Sequence, residues 1–330
     1  MSNNLKLSRL YIKLGTNCNL HCKYCHAAPC DFSFNPAILP VLKSFGLKKV
    51  TFGGGEPLLY WLTIKQIVEY LGKDVRYKII TNGTLFTEDI VSFCNSYKFE
   101  FYISLDGSDS TRDNSQPILW QLIKKLKHCG TAVTFYRENQ DIRKTLDSLY
   151  FIKRDYMSIP DWIYSSYPNF VHSTEKTGVL SDRELADSYI RQITEISEEA
   201  LALYKNQNLV TGFLRRIFAD YVKVKNIHGV RCCNEYFISI LADGTICSCP
   251  YSMESVGDIF HLDSFSLDAI EKSCYRPQCK SCSMLGICRN YCHIDITDNF
   301  CYVMRSLHRN ILRLMHDYGI TYEDLSESLS

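Results

Sequence analysis

Three cysteines, Cys18, Cys22 and Cys25, stand in the run Cys-Asn-Leu-His-Cys-Lys-Tyr-Cys, directly after a strand-like segment. Thiolate is the ligand form of cysteine, so a loop that holds three of them close together suits a metal. Three thiolates can grip three corners of a 4Fe–4S cube and leave the fourth iron without a protein ligand, open to chemistry. A structural zinc site is the other reading, since His21 or His26 can supply a fourth tetrahedral ligand. Three further strings are not required by a zinc knuckle: Gly53-Gly54-Gly55-Glu56-Pro57, Thr81-Asn82-Gly83 and Ser104-Leu105-Asp106-Gly107. Each closes a predicted strand, where glycine lets backbone approach a ligand closely.

The elements that must position these strings alternate strand with helix. Leu10, Ile12 and Leu14 alternate with Tyr11 and Lys13, a period-2 strand. Helix is expected over 36–45, strand over 49–52, helix over 64–71 and strand over 77–80. Thr87 caps the next helix, with Glu88 and Asp89 in its first turn, where the helix dipole favours carboxylates. Strand 99–105, helix 118–128, strand 132–136, helix 142–156 and a sixth strand opening at 162–164 complete the run. Such units imply a parallel sheet with right-handed crossovers, curled into a partial (β/α)6 barrel. Ligands gather at the C-terminal ends of its strands, the rim on which every string above falls.

Beyond the barrel, Ser181-Asp182-Arg183-Glu184 reads as a capping box. One apolar stripe follows through Leu185, Tyr189, Ile193, Ile196 and Leu203, and another through Phe213, Leu214, Ile217, Phe218 and Tyr221, both ordinary packing surface. Phe237-Ile238-Ser239-Ile240 and the turn Asp243-Gly244 make a hairpin. A last helix over 302–318 turns Val303, Leu307, Ile311 and Leu314 inward and Arg305, Arg309 and Arg313 to solvent. The expected divisions are a barrel over 1–175, a helical bridge over 176–230 and a cysteine-rich domain over 231–330.

The 330 residues include 16 cysteines, a share below the roughly 8–10% of disulfide scaffolds. Ten of them fall from Cys232 onward, and clustered cysteines in a reducing compartment more often bind metal than pair. A formal net charge of +1 leaves no electrostatic footprint for nucleic acid or an anionic membrane. The first ten residues lack the apolar core of a signal peptide, and no apolar run approaches the ~18 residues of a membrane span. The expectation is a cytoplasmic protein without nucleic-acid or membrane partners. The first strand begins almost at once, so no further folded domain is expected to fit before Leu10.

Taken together and in this order, the cysteine loop and the three strings resemble the radical S-adenosylmethionine (SAM) superfamily, over residues 8 to about 165. The resemblance implies that Cys18, Cys22 and Cys25 hold a 4Fe–4S cluster whose open iron is chelated by the methionine amine and carboxylate of SAM. It sets Tyr24 against adenine, Gly54, Gly55 and Glu56 around the methionine amine, Ser104 and Asp106 at the ribose, and Asn82 on the rim. The implied reaction is reductive cleavage of SAM to a 5′-deoxyadenosyl radical, with an electron donor such as flavodoxin or ferredoxin.

The tail carries Cys279-x2-Cys282-x5-Cys288-x3-Cys292 and then Cys301, after Cys233 and the string Gly244-x4-Cys249. This order resembles the seven-cysteine SPASM domain, which implies two auxiliary 4Fe–4S clusters. One uses Cys279, Cys282, Cys288 and Cys301; the other uses Cys233, Cys249 and Cys292. Its fourth ligand stays open among Cys232, Cys247, Cys274 and the substrate. A pair of zinc ribbons is the alternative. Cys94 and Cys129 read as small buried hydrophobes, whereas Cys30, beside the first loop, is placed to donate a hydrogen atom were the enzyme an epimerase.

SPASM proteins mostly act on peptides. Anaerobic sulfatase maturases carry an aspartate base directly after the cysteine of Gly-x4-Cys; Pro250 stands there and takes no proton. The expectation is a ribosomal-peptide maturase that closes a thioether, carbon–carbon or ether crosslink on a precursor peptide. Its leader would dock on the enzyme or on a separate leader-binding protein. Epimerisation, or maturation of a tetrapyrrole or peptide-derived redox cofactor, are the enzymatic alternatives. An electron-transfer or zinc-binding module is the non-enzymatic one. The aromatic run Trp162, Tyr164, Tyr167 and Phe170 reads as core packing before peptide contact.

Overall fold

The computed structural model describes residues 7–22, 25, 29–104, 115–135, 140–145, 168–170, 182–211, 214, 237–247, 255–262, 281–284 and 298–329. The chain forms two compact units, one of residues 1–104, 113–130 and 229–275, the other of 105–112, 131–228 and 276–330.

The first unit is built on a sheet. Strands β1 (Arg9–Lys13), β2 (Lys49–Gly53), β3 (Arg76–Thr81) and β4 (Lys98–Ser104) pair in parallel in that order. Between them run α1 (Ile38–Ser44), a 3-10 turn at Pro57–Tyr60 leading into α2 (Trp61–Leu71), and α3 (Glu88–Ser96). One face of every strand is apolar and shielded: Leu10, Ile12, Val50, Phe52, Tyr77, Ile79, Phe101 and Ile103 are at most 1% exposed. Helices cover this face. The Tyr77 hydroxyl donates to the Gly72 carbonyl at the end of α2 at 2.6 Å, and the Phe99 ring meets Phe93 of α3 at 6.4 Å. Each such ring removed from water contributes about 1.5–3 kcal/mol. Thr87 caps α3 as its sequence signals, accepting from the Ile90 N–H at 3.2 Å.

Two local expectations shift. The helix expected over 118–128 shrinks to α4 (Trp120–Ile123). Gly83 and Phe101 take its flanks, with the Leu119 N–H bonded to the Gly83 carbonyl at 3.0 Å and the His128 carbonyl accepting from the Phe101 N–H at 3.1 Å. The hairpin of β7 (Phe237–Leu241) and β8 (Thr245–Cys247), extended by β9 (Ser255–Asp258), joins the same sheet, because β7 lies parallel to β1 with Tyr11 beside Ser239.

In the second unit β5 (Cys129–Phe135), which begins at the boundary, pairs in parallel with β6 (Pro168–Phe170). The sixth strand expected at 162–164, the body of the helix over 142–156, and most of the second bridge stripe lie outside the described residues. Helices α5 (Arg183–Gln207) and α6 (Asp298–Asp317) pack together, and α7 (Tyr322–Leu329) follows. Leu185, Tyr189, Ile193 and Ile196 on α5 and Val303, Leu307, Ile311 and Leu314 on α6 are buried. Tyr302 ties the pair, its hydroxyl donating to Asp187 at 2.7 Å while the Arg183 guanidinium lies 3.2 Å from its ring centre.

The cap of α5 differs from the expected box. Asp182, not Ser181, is the N-cap, and its carboxylate accepts from the Glu184 and Leu185 N–H groups at 2.9 and 3.2 Å. A carboxylate answers the helix dipole better than a hydroxyl does. Asp182→Ala is expected to cost about 1 kcal/mol, measured as a lowered urea midpoint. No described helix is long and apolar enough to cross a membrane.

Candidate functional site

The cysteine loop leaves β1 and returns to its own base. The Thr16 N–H donates to the Cys30 carbonyl at 2.7 Å, and Gly15 forms an antiparallel bridge with Asp31. Tyr60, at the entry to α2, braces this base, its hydroxyl donating to Asp31 Oδ1 at 2.5 Å. Within the loop the Cys25 N–H donates to the Cys22 carbonyl at 3.0 Å, a tight turn joining the last two cysteines. Cys18 and Cys22 are half-buried and Cys25 is exposed.

The glycine string after β2 packs against that loop. The Gly55 and Glu56 N–H groups donate to the carbonyls of Gly15 and Asn17 at 3.2 and 2.8 Å. Gly54 has φ +137°, and a Cβ there would lie 1.9 Å from the Gly15 oxygen. A Cβ on Gly55 would meet the Asn17 and Thr16 oxygens at 2.2 and 2.3 Å. The closest approach that these two glycines permit is therefore to the backbone of the cysteine loop.

Glu56 is 1% exposed. Its Oε1 accepts from the Leu58 N–H at 2.9 Å and the Thr81 hydroxyl at 2.7 Å, while its Oε2 accepts from the Asn82 N–H at 2.7 Å. The carboxylate thus joins the loop after β2 to the loop after β3. Asn82 carries the connection onward, its Nδ2 donating to Asn19 Oδ1 at 2.8 Å and to Cys18 Sγ at 3.7 Å. Its Oδ1 accepts from the Thr84 N–H and hydroxyl at 3.0 and 2.7 Å. Asn19 Nδ2 completes the ring by donating to Thr84 Oγ1 at 2.8 Å and Gln116 Oε1 at 2.6 Å. The sequence strings assign no individual role to Asn19, Thr81, Thr84, Gln116, Asp31 or Tyr60. Asn19 and Thr81 lie inside or beside the motifs, so position alone was the available signal.

Burial pushes the Cys18 thiol up, and the negative charges of Glu56 and Cys22 add to this; the Leu20 N–H, 3.4 Å from the sulfur, and Asn82 oppose it. Tyr60 is pushed up to about 12 by burial first and by Asp31 next. Its neutral hydroxyl is the favoured form, so the brace is complete below the usual value of 10.0 and is lost as pH climbs toward about 12. Tyr60→Phe is expected to open the loop base, seen as several-fold faster maleimide labelling of Cys18 at pH 7 by peptide mapping. An unchanged rate would show that the brace is idle.

The match to known proteins follows this geometry. The family model of the Radical SAM superfamily matches residues 12–137. Residues 12–137 carry a radical SAM domain. A cysteine-type anaerobic sulfatase-maturating enzyme of Clostridium novyi is 22% identical over 362 aligned positions, covering 89% of this chain and 90% of that one. A Methanocaldococcus jannaschii protein, MJ0907, is 34% identical over 112 residues, which are 31% of this chain and 39% of that protein. Among solved structures, native anSMEcpe with bound AdoMet and Cp18Cys peptide superposes at TM-score 0.70, with 16% identity over 94% of this chain and 98% of that one. Streptococcus suis SuiB bound to precursor peptide SuiA superposes at TM-score 0.55, with 18% identity over 87% of this chain and 72% of that one. The chain is an enzyme, with the partial-barrel α/β fold of these structures.

The donor set suits the superfamily's cluster. Three thiols stand on one clamped loop, and two N–H donors face the Cys18 sulfur, as hydrogen bonds to sulfur do where they tune iron–sulfur potentials. Among the described residues no three His, Cys, Asp or Glu side chains converge on a single point; a cube asks only for one thiolate at each of three irons. Ser104 ends β4 half-buried, while Tyr24 and Asp106 lie outside the described residues. So do Cys232, Cys233, Cys249, Cys274, Cys279, Cys288 and Cys292. Cys247 is buried in β8. Arg305, exposed as expected, also donates to Cys282 Sγ at 3.7 Å, and both Cys282 and Cys301 raise its pKa. Two cysteines far apart in sequence thus lie near one guanidinium.

Proposed function

We propose that this radical SAM enzyme is a peptide maturase of the SPASM type, taking hydrogen from a ribosomally made precursor and closing a thioether, carbon–carbon or ether crosslink. The observation that carries the reading is the stitched rim, in which the carboxylate of Glu56 and the amide of Asn82 bind the loops after β2 and β3 to the cysteine loop. Peptide-bound proteins of the same fold support the substrate class.

In this reading Cys18, Cys22 and Cys25 hold the cluster. Tyr24, Gly54, Gly55, Glu56, Asn82, Ser104 and Asp106 surround SAM. When bound, the reduced cluster and SAM supply a 5′-deoxyadenosyl radical able to remove hydrogen from an unactivated carbon. The chain's own contribution is placement. Glu56 holds Asn82 in position, Asn82 directs an N–H at the Cys18 sulfur, and the Tyr60–Asp31 brace keeps the loop closed. The auxiliary clusters on Cys233, Cys249, Cys279, Cys282, Cys288, Cys292 and Cys301, and the divisions at 175 and 230, belong to the same proposal. So do a flavodoxin or ferredoxin donor and a separate leader-binding protein. Pro250 speaks against sulfatase maturation, because it offers no base.

The test is co-expression with any small open reading frame found beside the gene, followed by mass spectrometry. Loss of two hydrogens marks a crosslink, and no mass change with altered stereochemistry marks an epimer. Anaerobic protein with three cubes carries roughly twelve irons per chain. Formation of 5′-deoxyadenosine without any change in the peptide would remove the peptide reading and leave the site. Iron-replete protein that never forms 5′-deoxyadenosine would remove the site reading.

A further inference from the structure

The sheet of the first unit has a second face, and its charge is one-sided. The register sets Arg9 beside Lys49, Lys49 beside Arg76 and Arg76 beside Lys98. Four cations thus form one row across four adjacent strands, at their N-terminal ends, on the face opposite Leu10, Val50, Tyr77 and Phe99. Arg9, Arg76 and Lys98 are exposed. Glu100, in the next row beside Lys78, pairs with Lys49 at 2.7 Å. Among the described residues no acid pairs with Arg9, Arg76 or Lys98. A buried hydroxyl, Ser239 Oγ, lies on the same face beside Tyr11 and has no hydrogen-bond partner among the described residues.

Neighbouring strands are about 4.8 Å apart, so the row spans roughly 14 Å. Like charges side by side on a sheet repel one another, at separations well inside the ~8–10 Å screening length. The chain as a whole carries only +1, so the row is not a general excess of lysine and arginine. An arrangement that costs stability in the free protein is relieved by an anion laid along it.

We propose that this row docks an acidic segment of the peptide substrate, an extended stretch with Asp or Glu at alternate positions. Successive same-side residues of an extended chain are about 6.8 Å apart, so two or three carboxylates match the row. The inference rests on the peptide-maturase reading for its partner class. Nucleic acid is the competing polyanion. A row of four cations, one of them already paired, on a nearly neutral chain favours a short acidic peptide.

The test uses the full-length protein and fluorescein-labelled ten-residue peptides with alternating Glu-Thr, Gln-Thr or Lys-Thr, beside a ten-residue oligothymidylate, read by anisotropy. The Glu-Thr peptide is expected to bind at least about ten-fold more tightly than the Gln-Thr peptide, and to weaken with salt. Reversing two exposed charges, Arg76→Glu with Lys98→Glu, is expected to weaken it by roughly ten-fold or more. Arg309→Glu, exposed on α6, should leave it unchanged. The single variants Arg76→Gln and Lys98→Gln carry the same test with a smaller, same-signed effect should the double variant misfold. Equal binding of the Gln-Thr peptide, indifference to the row variants, or tighter binding of oligothymidylate overturns the proposal. Precursor modification by the double variant at wild-type KM would remove the docking row and leave the maturase. Row-dependent binding of the Glu-Thr peptide with no peptide ever modified would remove the maturase and leave the row.

Discussion

Glu56→Ala is expected to cost about 3–5 kcal/mol of stability and to bring 5′-deoxyadenosine formation close to background. The carboxylate satisfies three donors in a place that water does not reach. Each buried donor left unpaired costs about 1–3 kcal/mol, and the Thr81 hydroxyl alone can rotate to another acceptor. A total of this size is a large fraction of the 5–15 kcal/mol that holds a typical domain folded. Glu56→Gln separates the contributions. An amide oxygen at the Oε1 position still serves Leu58 and Thr81, but its NH2 then faces the Asn82 N–H, donor against donor. The expected loss is about 1–3 kcal/mol, concentrated on the Asn82 loop and so on the N–H aimed at Cys18. Urea unfolding gives the first quantity, and the ordering Glu56→Ala below Glu56→Gln below wild type is the signature. If Glu56→Ala unfolds at the wild-type midpoint, the carboxylate is not the hub described above.

The legible parts of this chain are those that short stretches of sequence determine. Alternation of Leu10, Ile12 and Leu14 marks β1, Thr87 marks the start of α3, and three cysteines within eight residues mark the loop that leaves β1. Position on a strand end also told that the glycine and Thr-Asn-Gly strings belong to one rim. What those strings touch was not legible. Gly54 and Gly55 read as room for a ligand; that they also admit carbonyls of residues 15–17, roughly forty positions earlier, is not written in the string. Glu56 reads as a group lining the SAM site; that its carboxylate also closes on Thr81 and Asn82 depends on how β2 and β3 pair, which no local string shows. The joining of β7 to β1 was likewise invisible, because a hairpin carries its own turn signal but nothing local that names the strand it will lie beside. Helix 118–128 failed for the same reason: its flanks are drawn off by Gly83 and Phe101, which no window around 123 contains.

Cys22→Ala should separate chemistry from folding as cleanly as Glu56→Ala mixes them. The Cys22 side chain sits half-buried on the loop, outside the core, and the bond that shapes the turn runs from the Cys25 N–H to the Cys22 carbonyl, which alanine keeps. A substitution of that kind alters stability by no more than about 0.5 kcal/mol. The cluster, by contrast, loses one of three protein thiolates, and two do not hold a cube with one free iron. The expected result is an unchanged urea midpoint for the cluster-free protein, a deficit of about four irons per chain after anaerobic reconstitution, and 5′-deoxyadenosine at background. Cys30→Ala, whose carbonyl but not whose thiol takes the Thr16 bond, serves as the control and should keep both iron and product. A Cys22→Ala protein that still cleaves SAM would move the cluster to other cysteines. The same variant losing a single zinc and no iron would return the loop to the tetrahedral reading that its histidines allow.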